Sequence, residues 1–338
     1  LGYKGDVGLD INCIMANHKI PFAFPDEVIK ASKKIDTVIH EDPKRWDLRD
    51  LQMVTIDGED AKDLDDAVSG RKLPNGNYEL GVHIADVSQY VTSGQPIDNE
   101  AYKRGTSVYL VDRVVPMLPE VLSNGICSLN AHEDRYAMTC MMEIDDSGTV
   151  VNYRIRPSII HVGRRCSYKE VYKALEENII PDDLQDCMPM LRDLAEISKI
   201  LNRMRRRRGA LDFDFPEYKV LLDLDGTPLR IVKRDRTMAE RLIEECMLIA
   251  NETVATHLKN THRTSVYRIH ESPSEEKLDL FQKVLNYLGQ DLVLSANGVT
   301  PRDFQKILDE VKGQDIEQVA QIMTLRSMQQ AKYSINNV

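Results

Sequence analysis

The stretch Thr55–Val68, TIDGEDAKDLDDAV, gathers Asp57, Glu59, Asp60, Asp63, Asp65 and Asp66, with Lys62 the one cation among them. Like charges this close repel, and inside a fold the cost becomes severe enough to shift a pKa and neutralise a group. Two outcomes avoid that cost. The run is a solvated acidic loop, or a positive group sits among the carboxylates, a divalent cation being the usual one. The flanks narrow the geometry. QMVTID reads as a strand that ends at Asp57, and a short loop folding back lets Asp63, Asp65 and Asp66 converge on it.

Working outward, LPNGNYELGVHIADV is a hairpin pattern turning at Asn75-Gly76. RYAMTCMMEIDDSGTVVNYRIRPSIIHV turns at Asp146-Ser147-Gly148, and EYKVLLDLDGTPLRIVKR at Asp225-Gly226. Helices follow. Thr237 with Glu240 forms a capping-box pattern before a segment that puts Leu242, Cys246, Ile249 and Ala250 on one face. Ser167 with Glu170 opens a shorter helix. Ser272-Pro273 with Glu275 starts one that Gly289 ends, and Thr300-Pro301 starts one stopping near Gly313. Strands followed by helices imply an α+β fold, with a mainly antiparallel sheet in the N-terminal half and helices in the C-terminal half. Residues 1–49 read as an irregular, partly helical lead-in, and 50–338 as the main domain.

The chain has 338 residues, 42% of them hydrophobic and 29% charged, values of a globular protein. No apolar run approaches the ~20 residues of a membrane span, so no membrane partner is expected. The six cysteines are scattered without a C-x-x-C pair, which argues against structural zinc and suggests a reducing, cytoplasmic setting. A monomer is expected. The net charge of −10 counts against nucleic-acid binding, although a basic groove can coexist with an acidic exterior. The chain starts at Leu1 and stops just past a helical pattern, which suggests a piece of a longer protein.

Metal motifs test the acidic run. An EF-hand loop counted from Asp57 puts the glycine second and Ala61 fifth, which fails. There is no H-E-x-x-H, no G-x-x-x-x-G-K-[ST] and no G-x-S-x-G. Carboxylate-only coordination remains, which suits Mg²⁺ or Mn²⁺, and such ions can activate water and stabilise a leaving oxygen at a phosphodiester. From the residues alone, metal-assisted phosphoryl chemistry, a solvated loop and a glycosidase-like acid/base pair all stay open.

TIDGEDAKDLDDAV is similar to the signature of the ribonuclease II family catalytic domain, the RNB domain. Its four aspartates correspond to Asp57, Asp63, Asp65 and Asp66. The resemblance continues through GVHIADVSQYV, RGTSVYLVDRVVPMLPEVLSNGICSLN, RRGALDFDFPE and AERLIEECMLIANE. It implies an RNB-type fold and a processive, hydrolytic 3′→5′ exoribonuclease that takes the 3′ end of single-stranded RNA and releases 5′-mononucleotides. By that resemblance Asp57 and Asp66 hold Mg²⁺ (Mn²⁺ as the substitute), Asp63 supports the metal and the terminal nucleotide, and Asp65 is most critical for the chemical step. Tyr109 matches a tyrosine that stacks on the terminal base, and Glu244 or Glu245 reaches a ribose hydroxyl. A non-cleaving, metal-dependent RNA-binding relative and another metal-dependent phosphodiesterase are the alternatives.

Other features have ordinary readings beside functional ones. RMRRRRG, Arg203–Gly209, is a phosphate site or a basic helix end complementing the dipole. His83 and Asp86 lie three apart on a strand, facing opposite sides, which favours structural roles. Tyr267, Arg268 and His270 belong to packing or a channel wall. Residues 1–49 resemble a link out of a preceding cold-shock region. The family pattern continues beyond this chain into an arginine-bearing segment that clamps phosphate, and flanking OB-type domains that funnel RNA are also absent. The chain alone is therefore expected to be weak or inactive.

Overall fold

The computed structural model describes every residue except 4, 212, 214, 263, 288, 290–298, 337 and 338. Two short helices, α1 (Leu9–Asn17) and α2 (Asp26–Ser32), precede the sheet. Its seven strands are β1 (Trp46–Leu48), β2 (Val54–Asp57), β3 (Asp66–Lys72), β4 (Tyr78–Ala85), β7 (Asp134–Ile144), β8 (Val150–His161) and β9 (Arg164–Ser167). Between β4 and β7 lie helix α3 (Pro96–Arg104) and a small hairpin, β5 (Val108–Tyr109) with β6 (Val114–Val115). The order across the sheet is β1-β8-β7-β4-β3-β2-β9. The interior pairings are antiparallel, as the hairpin signals imply, while β1 on β8 and β9 on β2 are parallel at the two edges.

The turns fall where their residues favour them. Gly76, Gly148 and Gly226 adopt φ of 92°, 87° and 83° in the three hairpins, a region open to glycine at little steric cost. The third hairpin, β10 (Glu217–Leu222) with β11 (Pro228–Arg234), stands apart from the large sheet. Three helices cover one face of that sheet: α4 (Tyr168–Glu176), α5 (Met188–Arg208) and α6 (Met238–Asn260). Capping boxes open α4 at Ser167/Glu170 and α6 at Thr237/Glu240.

Strand alternation supplies two cores. Val68 joins Val54, Ile56, Leu80 and Val82 under α4–α6, with Leu191, Leu194, Leu242 and Ile249 opposite. Its neighbour Ala67 faces the other side, with Met53, Leu64, Val28, Leu122 and Leu129. Gly70 lets α5 close on β3, since a Cβ there would lie 2.7 Å from a methyl of Leu194. Helices α7 (Glu275–Tyr287), α8 (Pro301–Val311) and α9 (Glu317–Ser327) pack separately around Phe281, Leu285, Phe304 and Ile307. Gly289 follows α7 in the left-handed region at φ 76°; Leu288, between them, lies outside the described residues. Strand β12 (Tyr267–Ile269) pairs with β13 (Lys332–Ser334), and the Arg268 guanidinium lies 5.2 Å from the Tyr333 ring. Tyr267 is half-buried and Arg268 exposed on this two-stranded ribbon.

His83 lies on β4 while Asp86 lies just past its end, so strand alternation does not relate them, and their partners differ. The fully enclosed His83 ring contacts Ser69 Oγ at 3.1 Å and Thr139 Oγ1 at 2.9 Å. Asp86 accepts from Arg45 at 2.7 Å. Among the described residues no helix is long and apolar enough to cross a membrane.

Candidate active site

Two strand ends create the site. β2 leaves the sheet at Asp57 and β3 re-enters it at Asp66. Val54 lies opposite Val68 in antiparallel register, so both aspartates sit at the same end of the sheet. The loop between them is tied down along its length. Leu64 is buried in the second core. Ser128 Oγ accepts from Leu64 N–H at 3.0 Å and donates to the Lys62 carbonyl at 2.9 Å. Leu129 N–H donates to the Leu64 carbonyl at 2.8 Å, and Ala85 N–H to that of Asp65 at 2.9 Å. From β9, Arg165 donates to the carbonyls of Gly58, Glu59 and Ala61.

These ties sort the acidic residues into two groups. Glu59 pairs with Lys169 at 3.3 Å and Asp60 with Lys219 at 2.9 Å. Asp57, Asp63, Asp65 and Asp66 pair with no cation among the described residues. Their electrostatics show it. Burial, then the Asp57 and Asp65 charges, hold the Asp66 carboxyl up at about 6. The Asp65 side chain reaches solvent, yet desolvation of its carboxyl, then Asp63 and Asp57, push its pKa up too. Tyr109 Oη donates to Asp63 Oδ2 at 2.6 Å. That bond, then partial burial and the surrounding carboxylates, raise the phenol to about 12. The residue as a whole is 65% exposed.

The donor set fits a hard divalent cation: oxygen only, and charged without compensation. Among the described residues no three carboxylate, imidazole or thiolate groups close into a ready cage. Mg²⁺ does not require one, because it keeps several waters and binds through one or two carboxylates plus substrate phosphates.

Beside the cluster lies a cavity of about 700 Å³, lined among others by Tyr168, Arg205, Phe213, Phe215, Arg234 and Glu245. Tyr168 links the two regions. Burial, then Asp57, Asp66 and Glu240, raise its phenol to about 12. Glu244 and Glu245 both line this cavity and differ sharply. Glu244 is half-exposed and pairs with Arg236, with Arg205 3.8 Å away. Glu245 is buried; its Oε1 accepts from Asn202 at 2.9 Å and Arg205 at 2.8 Å, while Oε2 has no partner among the described residues.

The basic run divides as well. Arg207 caps the Ser147 carbonyl at 2.6 Å, and Arg208 holds Glu252 through two bonds of 2.9 and 2.8 Å. Arg205 and Arg206 face the cavity. Sequence reasoning passed over Tyr168, Ser128, Leu64 and Arg165. Ser128 and Arg165 act on the loop backbone from distant positions, which no local spacing marks, while Leu64 anchors the loop from within by its buried side chain.

Residues 45–338 match the family model of the RNB domain, and the chain belongs to that family. Over its whole length it is 45% identical to Ribonuclease R 1 of Lactococcus lactis subsp. lactis and 37% identical to Ribonuclease R of Escherichia coli, covering 42% of each. The chain thus spans about half the length of the curated relatives it matches. It superposes in full on Mycoplasma genitalium RNase R solved in complex with ribose methylated single-stranded RNA. The TM-score is 0.94 at 32% identity, and 53% of that chain is covered.

Proposed function

We propose that this chain is the catalytic body of a hydrolytic 3′→5′ exoribonuclease that degrades single-stranded RNA processively to 5′-mononucleotides. Residues 50–338 form most of that body; the 1–49 lead-in joins it through β1 (Trp46–Leu48) in the sheet and Val28 in the second core. The observation that carries the reading is the group of four aspartates without a cation partner, gathered where two strands end. RNA-bound and ribonuclease R relatives support the choice of substrate.

Asp57 and Asp66 hold Mg²⁺, with Mn²⁺ as a substitute, and Asp63 supports them. When bound, the ion supplies charge neutralisation at the phosphodiester and a water of lowered pKa. Asp65, whose ionised form is disfavoured by desolvation and then by Asp63 and Asp57, takes the proton of the attacking water on a carboxylate oxygen. Tyr109 offers its exposed ring face to the 3′-terminal base. Glu244, half-exposed at the cavity, or Glu245 behind it reaches a ribose hydroxyl. The protein acts as a monomer in the cytoplasm.

The test uses single-stranded RNA labelled at its 5′ end, with EDTA and Asp65→Asn as controls. A ladder shortening from the 3′ end and abolished by both controls supports the assignment. If neither this chain nor one extended at its C-terminus cuts, the enzyme reading falls. Metal-dependent binding with intact RNA recovered then identifies a non-cleaving relative.

A further inference from the structure

Strand β9 lies parallel to β2, with Arg165 opposite Thr55 and Ser167 opposite Asp57. From that position the Arg165 guanidinium extends over the acidic loop. A single nitrogen, Nη2, lies 3.2 Å from the Gly58 carbonyl, 3.0 Å from that of Glu59 and 2.7 Å from that of Ala61. Its two protons serve three acceptors, so one bond is shared. Ala61 N–H closes the turn onto Gly58 O at 3.1 Å. The loop backbone between Asp57 and Asp63 is therefore wound around one side chain.

What Arg165 does not do is equally informative. Six carboxylates lie on this loop, yet among the described residues Arg165 forms an ion pair with none of them. Had it paired with Asp57 or Asp66, it would compete with a bound cation. Instead it donates to carbonyls and leaves the aspartates to one another. Lys169 and Lys219 behave differently, each pairing with a carboxylate outside the cluster of four.

We propose that Arg165 is a positioning residue that sets the divalent-cation affinity of the aspartate cluster, by holding the carbonyls of Gly58, Glu59 and Ala61. This rests on the metal reading given above. Two effects of opposite sign distinguish it from a charge effect. As a cation, Arg165 repels Mg²⁺, so losing its charge alone tightens metal binding. As an anchor, it keeps Asp57 and Asp63 within reach of a common ion, so losing the anchor weakens binding. No closed cage exists among the described residues, which makes the loop's set shape the determinant of affinity.

The experiment is a Mn²⁺ titration of the RNA-free chain, read by electron paramagnetic resonance at fixed ionic strength. Arg165→Ala is expected to weaken Mn²⁺ binding by about tenfold or more, the range for groups that orient metal ligands without touching the metal. Lys169→Ala and Lys219→Ala, which remove nearby charge without freeing carbonyls, leave affinity unchanged or tighten it. Arg165→Lys keeps the charge on a stem that cannot reproduce the planar fork, and falls between parent and alanine variant. Circular dichroism and melting in EDTA verify the fold. A folded Arg165→Ala that binds Mn²⁺ as well as the parent overturns the inference. If that variant does not fold, Arg165→Lys decides, and parental affinity in it overturns the inference. A parent that binds no Mn²⁺, or binds it equally with Asp66→Asn, overturns the metal reading itself.

Discussion

Tyr109 places its hydroxyl 2.6 Å from Asp63 Oδ2 while the residue as a whole stays 65% exposed. One residue thus joins the acidic loop at one end and offers a flat apolar face at the other. Under the proposed reading the ring, not the hydroxyl, grips RNA. Tyr109→Phe should keep affinity for a short single-stranded RNA within about threefold, since it loses one partly exposed hydrogen bond. Tyr109→Ala should lose roughly 1–3 kcal/mol of base stacking. Fluorescence anisotropy in EDTA measures both, and parental affinity in the alanine variant would remove Tyr109 from the binding site.

Asp66 makes metal binding visible as stability. Its folded pKa, about 6, stands above the ordinary carboxylate value. For an acid raised in this way, the contribution to stability is intact below the unfolded pKa and is lost as pH rises through about 6. The loss is on the order of 3 kcal/mol for a shift of roughly two units. In EDTA, Asp66→Asn should therefore melt higher than the parent at pH 8 and about equally at pH 4. Mg²⁺ should raise the melting temperature of the parent at pH 8 and leave that of Asp66→Asn nearly unchanged. A parent insensitive to Mg²⁺ would argue that the cluster holds no ion.

Much of the fold was legible because its signals are local. Asn75-Gly76 and Asp225-Gly226 mark turns that need positive φ, and Ser167/Glu170 and Thr237/Glu240 mark helix starts; each needs only its own neighbours. The parallel edges were not legible. β1 and β9 are three and four residues long, and their pairings depend on where β8 and β2 already lie. The site divides the same way. The spacing of Asp57, Asp63, Asp65 and Asp66 is written in one short loop. The ties that shape it come from Ser128 and Arg165, sixty or more residues away. Glu244 and Glu245 are adjacent in sequence with opposite environments, because a helix sends consecutive side chains about 100° apart.

His83 should give a pH response opposite to that of Asp66. Burial lowers its pKa to about 4, with Ser69 and Thr139 as uncharged partners. A base depressed in this way contributes stability that is present above pH 6.5 and lost as pH falls towards 4, because the unfolded chain takes up the proton first. The loss is on the order of 3 kcal/mol. His83→Gln should flatten the acid limb of the stability curve between pH 6.5 and 4, even if it lowers stability at pH 8. An unchanged slope in urea titrations across that window would show that the ring protonates without unfolding.

Ser128 separates loop order from overall folding. Its hydroxyl is fully buried, accepting from Leu64 N–H and donating to the Lys62 carbonyl. Ser128→Ala removes the partner of both backbone groups, and the buried Leu64 N–H left unsatisfied costs about 1–3 kcal/mol. Much of that cost can be avoided if residues 62–64 detach and regain water, at the expense of the Leu64 side chain's place in the core. Leu64→Ala attacks the same anchor from its apolar side, and should cost about 2–5 kcal/mol where the site cannot collapse. If loop detachment is the common outcome, the double variant should be less destabilised than the sum of the singles, because a loop can be freed only once. Amide hydrogen exchange should show faster exchange at residues 58–65 in all three variants, with β4 and β7 still protected. Additive losses with the loop still protected would mean that Ser128 and Leu64 support the core independently and do not govern the shape of the loop.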